Sequence, residues 1–390
     1  MATQGIINPH DVSSEVIYPI DVAARTQFMA EAPLLLGLPR RPISADKFNM
    51  GTNKVRSRSL TLGAAVADTS TTSVTLVDAS GVQMGDVLEL VSGERVEVTA
   101  DPNTTTNVIT VRRGAEGTTA ATQSNSTAVR LLYNSRTGNE VDQTGSRTAP
   151  SFIIQYLQTM QYPVQVGGKA NAMNAIQLAA GGGTNLYESE RLRRLVEMLR
   201  EGEAAVLEGK GEYNTGAKRS KMKGIKAIIT EGASGNVVTS PTNAGSYTPN
   251  DLHRDVFQPI IDAGGRPDTM MVSSGAMPAF TKWGWSKILQ SPGDAGMGVN
   301  VQFYYVPLLG YPIAIIPDLT LRGTTFVGLS LTDGMGESRV RIRYIRPESW
   351  NPRGNRGDAI EGEWLCDVAV EVDDPSHHTW TQGVTAFAAP

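Results

Sequence analysis

The chain predicts an α+β fold with a small all-β domain set into it, and three stretches carry that prediction. Residues 57–133 hold the runs SVTLVDAS (73–80), DVLELV (86–91), ERVEVTA (94–100), NVITVRR (107–113) and TAVRLL (127–132). They are short, β-branched and partly alternating, with turn residues between them, as in a small sandwich or barrel. NLYESERLRRLVEMLREGEAAVLEGK (185–210) repeats apolar residues at helical spacing. Residues 224–345 then mix strand-like and helix-like runs.

Taken in order, residues 1–50 are broken by Pro9, Pro19, Pro33, Pro39 and Pro42 and have little regular period. They read as an arm, with one helical piece from Asp21 to Glu31. In the β-rich stretch, RRGAEGTT (112–119) raises a phosphate-loop question. Such a loop must lead from a strand into a helix whose amides face the anion. Here the Thr- and Ser-rich TTAATQSNST runs into another strand, so Gly114 and Gly117 read as turn glycines. Arg112 and Arg113 read as strand-end charges on a solvated face.

Residues 134–184 form a polar connector followed by the helical-looking FIIQYLQTM (152–160) and ANAMNAIQLAAGGG (170–183). The long helix follows, with Asn185 as N-cap and Glu188 in the capping-box position. Leu192, Leu195, Val196, Leu199, Val206 and Leu207 make its apolar stripe. Glu190–Arg194 and Arg193–Glu197 are spaced to pair on its wet side. Its length is almost ~40 Å, and Gly202 weakens its interior by roughly 1 kcal/mol.

Farther on, GIKAIIT (224–230) reads as a strand, DLHRDVFQPIIDAGG (251–265) as a helix and DTMMVSS (268–274) as a buried strand. GAMPAFTKWG (275–284) reads as a helix, and residues 299–319 and 324–331 as strand. VRIRYIRP (340–347) and EWLCDVAVEVDD (363–374) alternate like long strands.

A net charge of −4 gives no general electrostatic reason to grip nucleic acid or an anionic membrane. No run reaches the ~20 apolar residues of a membrane span. MATQGIINPHDVSSEV lacks the basic-then-apolar signal pattern, and the cysteine usage fits a chain made in a reducing cytoplasm, or one that tolerates it. The single cysteine, Cys366, excludes an intrachain disulfide and a multi-cysteine metal site. It reads as a small buried apolar residue.

The chemical candidates are few. His10, His253, His377 and His378 are the histidines. His377 and His378 follow Asp373 and Asp374, but neighbouring residues rarely converge on one ion, so they read as an exposed, non-ligating pair. Ser273-Ser274-Gly275 lies between strand and helix yet lacks the glycine before the serine that a nucleophile elbow needs. A helix N-cap is the simpler role. Arg356-Gly357-Asp358 matches an adhesion tripeptide inside turn composition. No catalytic, cofactor-binding or metal residue is assigned, and no enzyme activity is expected.

The order of elements after the long helix, MKGIKAIIT, then DLHRDVFQPIIDAGGRPDTMMVSSGAMPAFTKWG, then the ending, resembles the major capsid proteins of tailed bacteriophages, with the Hong Kong 97-type fold. That ending reads Gly357-Asp358, Gly362-Glu363, Val368-x-Val370 and Asp374-Pro375-Ser376-His377. The resemblance implies an arm at 1–50, an extended loop at 51–150 carrying the β domain at about 60–132, and a spine helix with peripheral domain at 151–230. An axial domain at 231–345 and return strands at 346–390 complete it. It further implies self-assembly as hexamers and pentamers into an icosahedral head in the virion, around DNA held without sequence-specific contacts. A portal, and scaffold or cement proteins, would be partners; no cofactor or membrane is implied. Ile17, Ile20, Phe28 and Leu34 to Leu36 of the arm would pack on a neighbouring copy. An encapsulin-type compartment shell and an adhesion module displaying the Arg-Gly-Asp turn are the alternatives.

Overall fold

The computed structural model describes residues 18–19, 32–52, 58–135, 151–170, 186–217, 219–283, 288–290, 302–306, 310–333 and 336–388. The expectations for Asp21 to Glu31, for 171–183, for the Asn185 cap and for His10, Ile17, Ile20 and Phe28 lie outside the described residues. The chain divides into two compact units, residues 52–151 with 258–265, and the remainder.

In the larger unit the long helix spans Leu186–Glu208 and buries Leu195, Met198, Leu199, Gly202, Glu203, Val206 and Leu207. These recur at three- and four-residue spacings, so one stripe faces the core. No residue before Leu195 is fully buried, so the first turns lie at the core's edge and Leu192 is exposed, against expectation. On the wet side Arg193 pairs with Glu190, not Arg194, at 2.7 Å, and with Glu197 at 4.0 Å. Gly202 has a packing reason. A Cβ there would stand 2.7 Å from Leu35 Cδ2 and 3.2 Å from Met160 Cε.

Leu35 belongs to a short helix, Pro33–Gly37, whose Leu34, Leu35 and Leu36 are buried in this unit's own core. The expectation that these leucines pack on a neighbour is therefore wrong. Just beyond, Arg40–Pro42 pairs in parallel with Ile342–Tyr344. The end of the arm is part of the subunit.

The helix packs on a five-stranded sheet built around the hairpin Val340–Arg356 and Ala359–Val372. Gln158–Gly167 pairs antiparallel along Ala359–Val368. FIIQYLQTM is thus strand, in Ser151–Tyr156 and Gln158–Gly167, not helix. Its composition suits either structure, and the ten-residue pairing with the hairpin decides. Burial alternates accordingly: Ile153 is buried while Phe152 and Ile154 are exposed.

GIKAIIT departs the other way. Ile225–Gly232 is a helix that buries Ile225, Ile228 and Ile229. Spacings of three and one are what a helix face requires; a short apolar run reads equally as a strand.

A seven-stranded mixed sheet follows, in the order Val237–Val238, Thr379–Gln382, Thr325–Leu329, Thr269–Ser273, Tyr311–Asp318, Gln302–Val306, Ile288–Gln290. Every residue of the Thr269–Ser273 and Thr325–Leu329 strands is buried. The helix expected at 251–265 runs as Pro249–Leu252, a π-helical turn His253–Phe257, and Gln258–Asp262. Thr248 caps it in a reciprocal capping box with Asp251.

The smaller unit holds a six-stranded sheet in the order Ser59–Thr61, Ala128–Asn134, Asp86–Leu90, Arg95–Val98, Val108–Arg112, Ser73–Thr75. Leu62, Leu76, Leu88, Val96, Ile109 and Val129 belong to a core of its own. After Val108–Arg112 the chain turns through Gly114 at φ 60° and a short 3-10 turn, Ala115–Gly117. No phosphate loop forms.

Arg112 is exposed as expected, but Arg113 is not. Its side chain is 6% exposed and its Nε and Nη2 donate to both oxygens of the fully buried Glu94 at 2.6 and 2.8 Å. Arg113 also reaches the Asp68, Thr71 and Ala121 carbonyls. The Gly114 and Ala121 amides donate to Glu94 as well. Without the ion pair the buried carboxylate would be stranded, which is why this arginine turns inward.

Two stability effects are expected. Leu199→Ala should destabilise the subunit by roughly 2–5 kcal/mol through lost burial and a residual cavity, read by denaturant unfolding. Arg113→Ala should destabilise the β-rich unit by about 3–5 kcal/mol, while Arg112→Ala should be close to neutral, read as amide exchange confined to residues 58–135.

Candidate functional site: the long hairpin and its ionic face

Strand geometry sends alternate residues to opposite faces, and the hairpin divides its chemistry along that line. One face holds Val340, Ile342, Trp364, Cys366, Val368, Val370 and Val372, all in the main core. Against the long helix, Trp364 Nε1 donates to the Arg191 carbonyl at 2.8 Å. The Arg191 guanidinium stands 5.5 Å from the Trp350 ring centre. Gly362 leaves room for Trp350, whose Cζ2 would lie 2.2 Å from a Cβ.

The other face carries Glu361, Glu363, Asp367 and Glu371, each answered from a neighbouring strand. Arg343 grips Glu371 through Nε and Nη2 at 2.6 and 3.0 Å, and Arg341 Nε joins it at 2.7 Å. Arg341 also pairs with Asp373. Arg346 and the Thr159 hydroxyl hold Asp367, the latter at 2.6 Å. Arg353 meets Glu363 at 2.7 Å, with Gln161 donating to the same carboxylate. Gln165 donates to Glu361 at 2.8 Å. A row of carboxylates already engaged by cations and amides is built to hold strands in register, not to move protons.

The weighed candidates fall at scattered places. Gly357 and Asp358 form the exposed two-residue tip of the hairpin, with Gly357 at φ 66°. The Asp358 carboxylate accepts the Lys169 amide at 3.3 Å. The tripeptide is thus the turn its composition suggests. Cys366 is buried 4.0 Å from Met198 Sδ, and burial raises its thiol well above the ordinary value. Ser273 is not an N-cap. Its hydroxyl donates to the Gly323 carbonyl at 2.7 Å and accepts the Thr325 amide at 2.9 Å, while the next helix starts after Ala276 with no side-chain cap. That tie closes the end of a sheet strand.

His377 and His378 are fully buried, contrary to the exposed pair expected. They sit where the hairpin hands over to the seven-stranded sheet. Asp374, at φ 53°, opens the turn Pro375–His377. His377 faces Arg339 and stands 3.9 Å from Asp374. His378 Nδ1 accepts the Ser330 amide at 3.4 Å. Asn236 Nδ2 clamps the Ser376 and His378 carbonyls at 2.8 and 3.0 Å. Sequence reasoning missed this because it weighed the pair as ligands and not as a buried corner. Among the described residues, no group of three His, Cys, Asp or Glu side chains converges on a point that could hold a metal ion.

Burial, then the charges of His377 and Arg339, push the His378 imidazole from 6.5 down to about 3. The unfolded chain therefore binds a proton that the folded chain refuses between those values. Stability is complete above 6.5 and falls on acidification toward 3, by up to about 1.4 kcal/mol per pH unit. His378→Asn, which keeps an acceptor for Ser330, should flatten that acid limb in melting temperature against pH.

The model of the family described as SU10 major capsid protein matches residues 31–385. No curated protein matches the sequence. Among solved structures, the chain is similar to the SrpI encapsulin of Synechococcus elongatus PCC 7942, at 12% identity and TM-score 0.48, covering 100% of this chain and 99% of that one. It is also similar to a chain of Microbacterium phage Oxtober96, at 12% identity and TM-score 0.41, covering 98% and 96%. A capsid chain of an empty GTA particle matches at 11% identity and TM-score 0.41, covering 91% and 97%. With the match running from the buried end of the arm through the hairpin to the last strand, the chain belongs to the SU10 major capsid protein family.

Proposed function

We propose that copies of this chain assemble as hexamers and pentamers into the icosahedral head of a tailed phage, enclosing its DNA without reading its sequence. The family match over residues 31–385 carries this reading and favours it over an encapsulin shell or an adhesion module. The portal, and scaffold or cement proteins, are its further partners, and the host cytoplasm is where it is made. In this scheme residues 1–50 are the arm and 51–150 an extended loop carrying the β domain. Residues 151–230 hold the spine helix and peripheral domain, 231–345 the axial domain and 346–390 the return strands.

One feature supports a subunit whose surfaces await neighbours. Phe152 and Ile154 stand on one face of strand Ser151–Tyr156 at 62% and 44% exposure, apolar area that a neighbouring copy would cover. The charged groups of the hairpin are meanwhile spent on one another, so its rigidity does not wait for assembly.

The arm supplies the test, and the cut must fall before Ala32, because Leu34, Leu35 and Leu36 belong to the subunit core. Deleting residues 1–31, which removes from the subunit's own sheet the two-residue edge strand Tyr18–Pro19 paired with Ser349–Trp350, should leave thermal unfolding near normal yet abolish or misdirect closed shells, seen by electron microscopy. Normal particles from the shortened chain would remove the inter-subunit role assigned to the arm.

A further inference from the structure

The buried stripe of the long helix contains a carboxyl group, and among the described residues no cation forms an ion pair with it. Glu203 is fully buried. Its two oxygens accept the Leu34 and Leu35 amides at 3.0 and 2.8 Å, at the start of helix Pro33–Gly37. Its other polar neighbour is Asp318, the last residue of strand Tyr311–Asp318, itself 1% exposed. Asp318 Oδ1 accepts the Thr320 amide and hydroxyl at 2.6 and 2.5 Å. Its Oδ2 is buried and receives no N–H or O–H from any described residue.

The charged groups around this point can be named from each element. From the strand it is Asp318, which bears on Glu203. From the arm it is Arg40, which donates to the Leu35 carbonyl at 2.7 Å but is committed through both terminal nitrogens to Glu348. On the helix, the stripe neighbours Leu199, Gly202, Val206 and Leu207 are uncharged. Two ionised carboxylates in contact in a dry site, with no cation between them, would repel strongly, and such pairs relieve the repulsion by keeping one proton.

We propose that Glu203 keeps its proton and donates it to Asp318, forming a clasp that fastens the end of strand Tyr311–Asp318 to the long helix and that opens when the proton leaves. The Glu203 carboxyl donates to Asp318; loss of its proton puts two negative charges side by side and drives the Asp318 end of the strand from the helix, while the Leu34 and Leu35 amides go on donating to the Glu203 carboxylate. Burial first, then Asp318, raises the Glu203 carboxyl well above its ordinary 4.5. A carboxyl raised on folding contributes stability that is complete below its unfolded value and is lost as pH climbs through its folded value. The clasp therefore loosens on the alkaline side.

Infrared spectroscopy of the purified full-length protein tests this. At neutral pH it should show the carbonyl band of a buried protonated carboxyl. The band should vanish in Glu203→Gln, whose amide donates to Asp318 without a titrating proton, and in Asp318→Asn, whose amide donates to an ionised Glu203. Hydrogen exchange gives a second readout. Protection of the amides at the end of strand Tyr311–Asp318 should drop as pH is raised from mildly acidic to alkaline in the natural chain, and stay level in Glu203→Gln. A natural chain without the band, a band that survives both substitutions, or equal pH dependence in the two chains would overturn the proposal. If Glu203→Gln fails to fold, the spectrum of the natural chain and of Asp318→Asn still decides.

Discussion

The subunit depends on the separation of two chemistries on the hairpin Val340–Arg356 and Ala359–Val372. Val368, Val370 and Val372 face the long helix, and Glu363, Asp367 and Glu371 face away among arginines. A one-residue slip would exchange those faces and set a row of carboxylates against Met198 and Leu199. Long, smooth hairpins are otherwise loose in register, and the pairing passes irregularities at Tyr344/Arg346, Arg346/Ser349 and Pro352/Gly354. The ion pairs hold alignment across those breaks. Their role is chiefly specificity, because desolvating a buried pair cancels much of its attraction.

Within the larger unit, the other elements dock on this beam. The helix lies along the apolar face, and its bare Gly202 admits Leu35 of the arm end. Arg40 then locks that end to Glu348 on the hairpin. At the other extremity, the turn at Asp374–His378 passes the chain into the seven-stranded sheet. A member of a capsid family gains from this arrangement, since a subunit that must fit many identical neighbours needs a frame that is set before they arrive.

Much of this was legible from residue order. The strands at 268–274, 340–347 and 363–374, the long helix and the short strands of the β-rich unit all follow from period and turn residues. What failed had physical causes. Short apolar runs do not declare their period, so GIKAIIT and FIIQYLQTM were exchanged between strand and helix; one is settled by a face of three isoleucines, the other by a strand partner two hundred residues away. Arg113 and the histidine pair were misplaced because charge suggests solvent unless a buried partner is known. Glu94, Asn236 and Ser330 are partners that no local window reveals. Membership of a structural capsid family bears out the expectation that the chain is not an enzyme.

The corner at Asp374, His377 and Arg339 shows how such a protein can resemble an enzyme in its parts. An aspartate, a histidine and an arginine meet there beside a strained, left-handed backbone turn, the setting in which catalytic groups are often found. Reactivity needs a group that a substrate can reach and a protonation state that changes near working pH. His377 and His378 have no exposed surface, and His378 stays neutral far below neutrality. The same burial that removes His378 from chemistry makes the corner sensitive to acid, because a proton can reach that imidazole only by opening the corner. With Glu203 loosening on the alkaline side, the two buried sites bound a pH interval in which the frame is at its firmest.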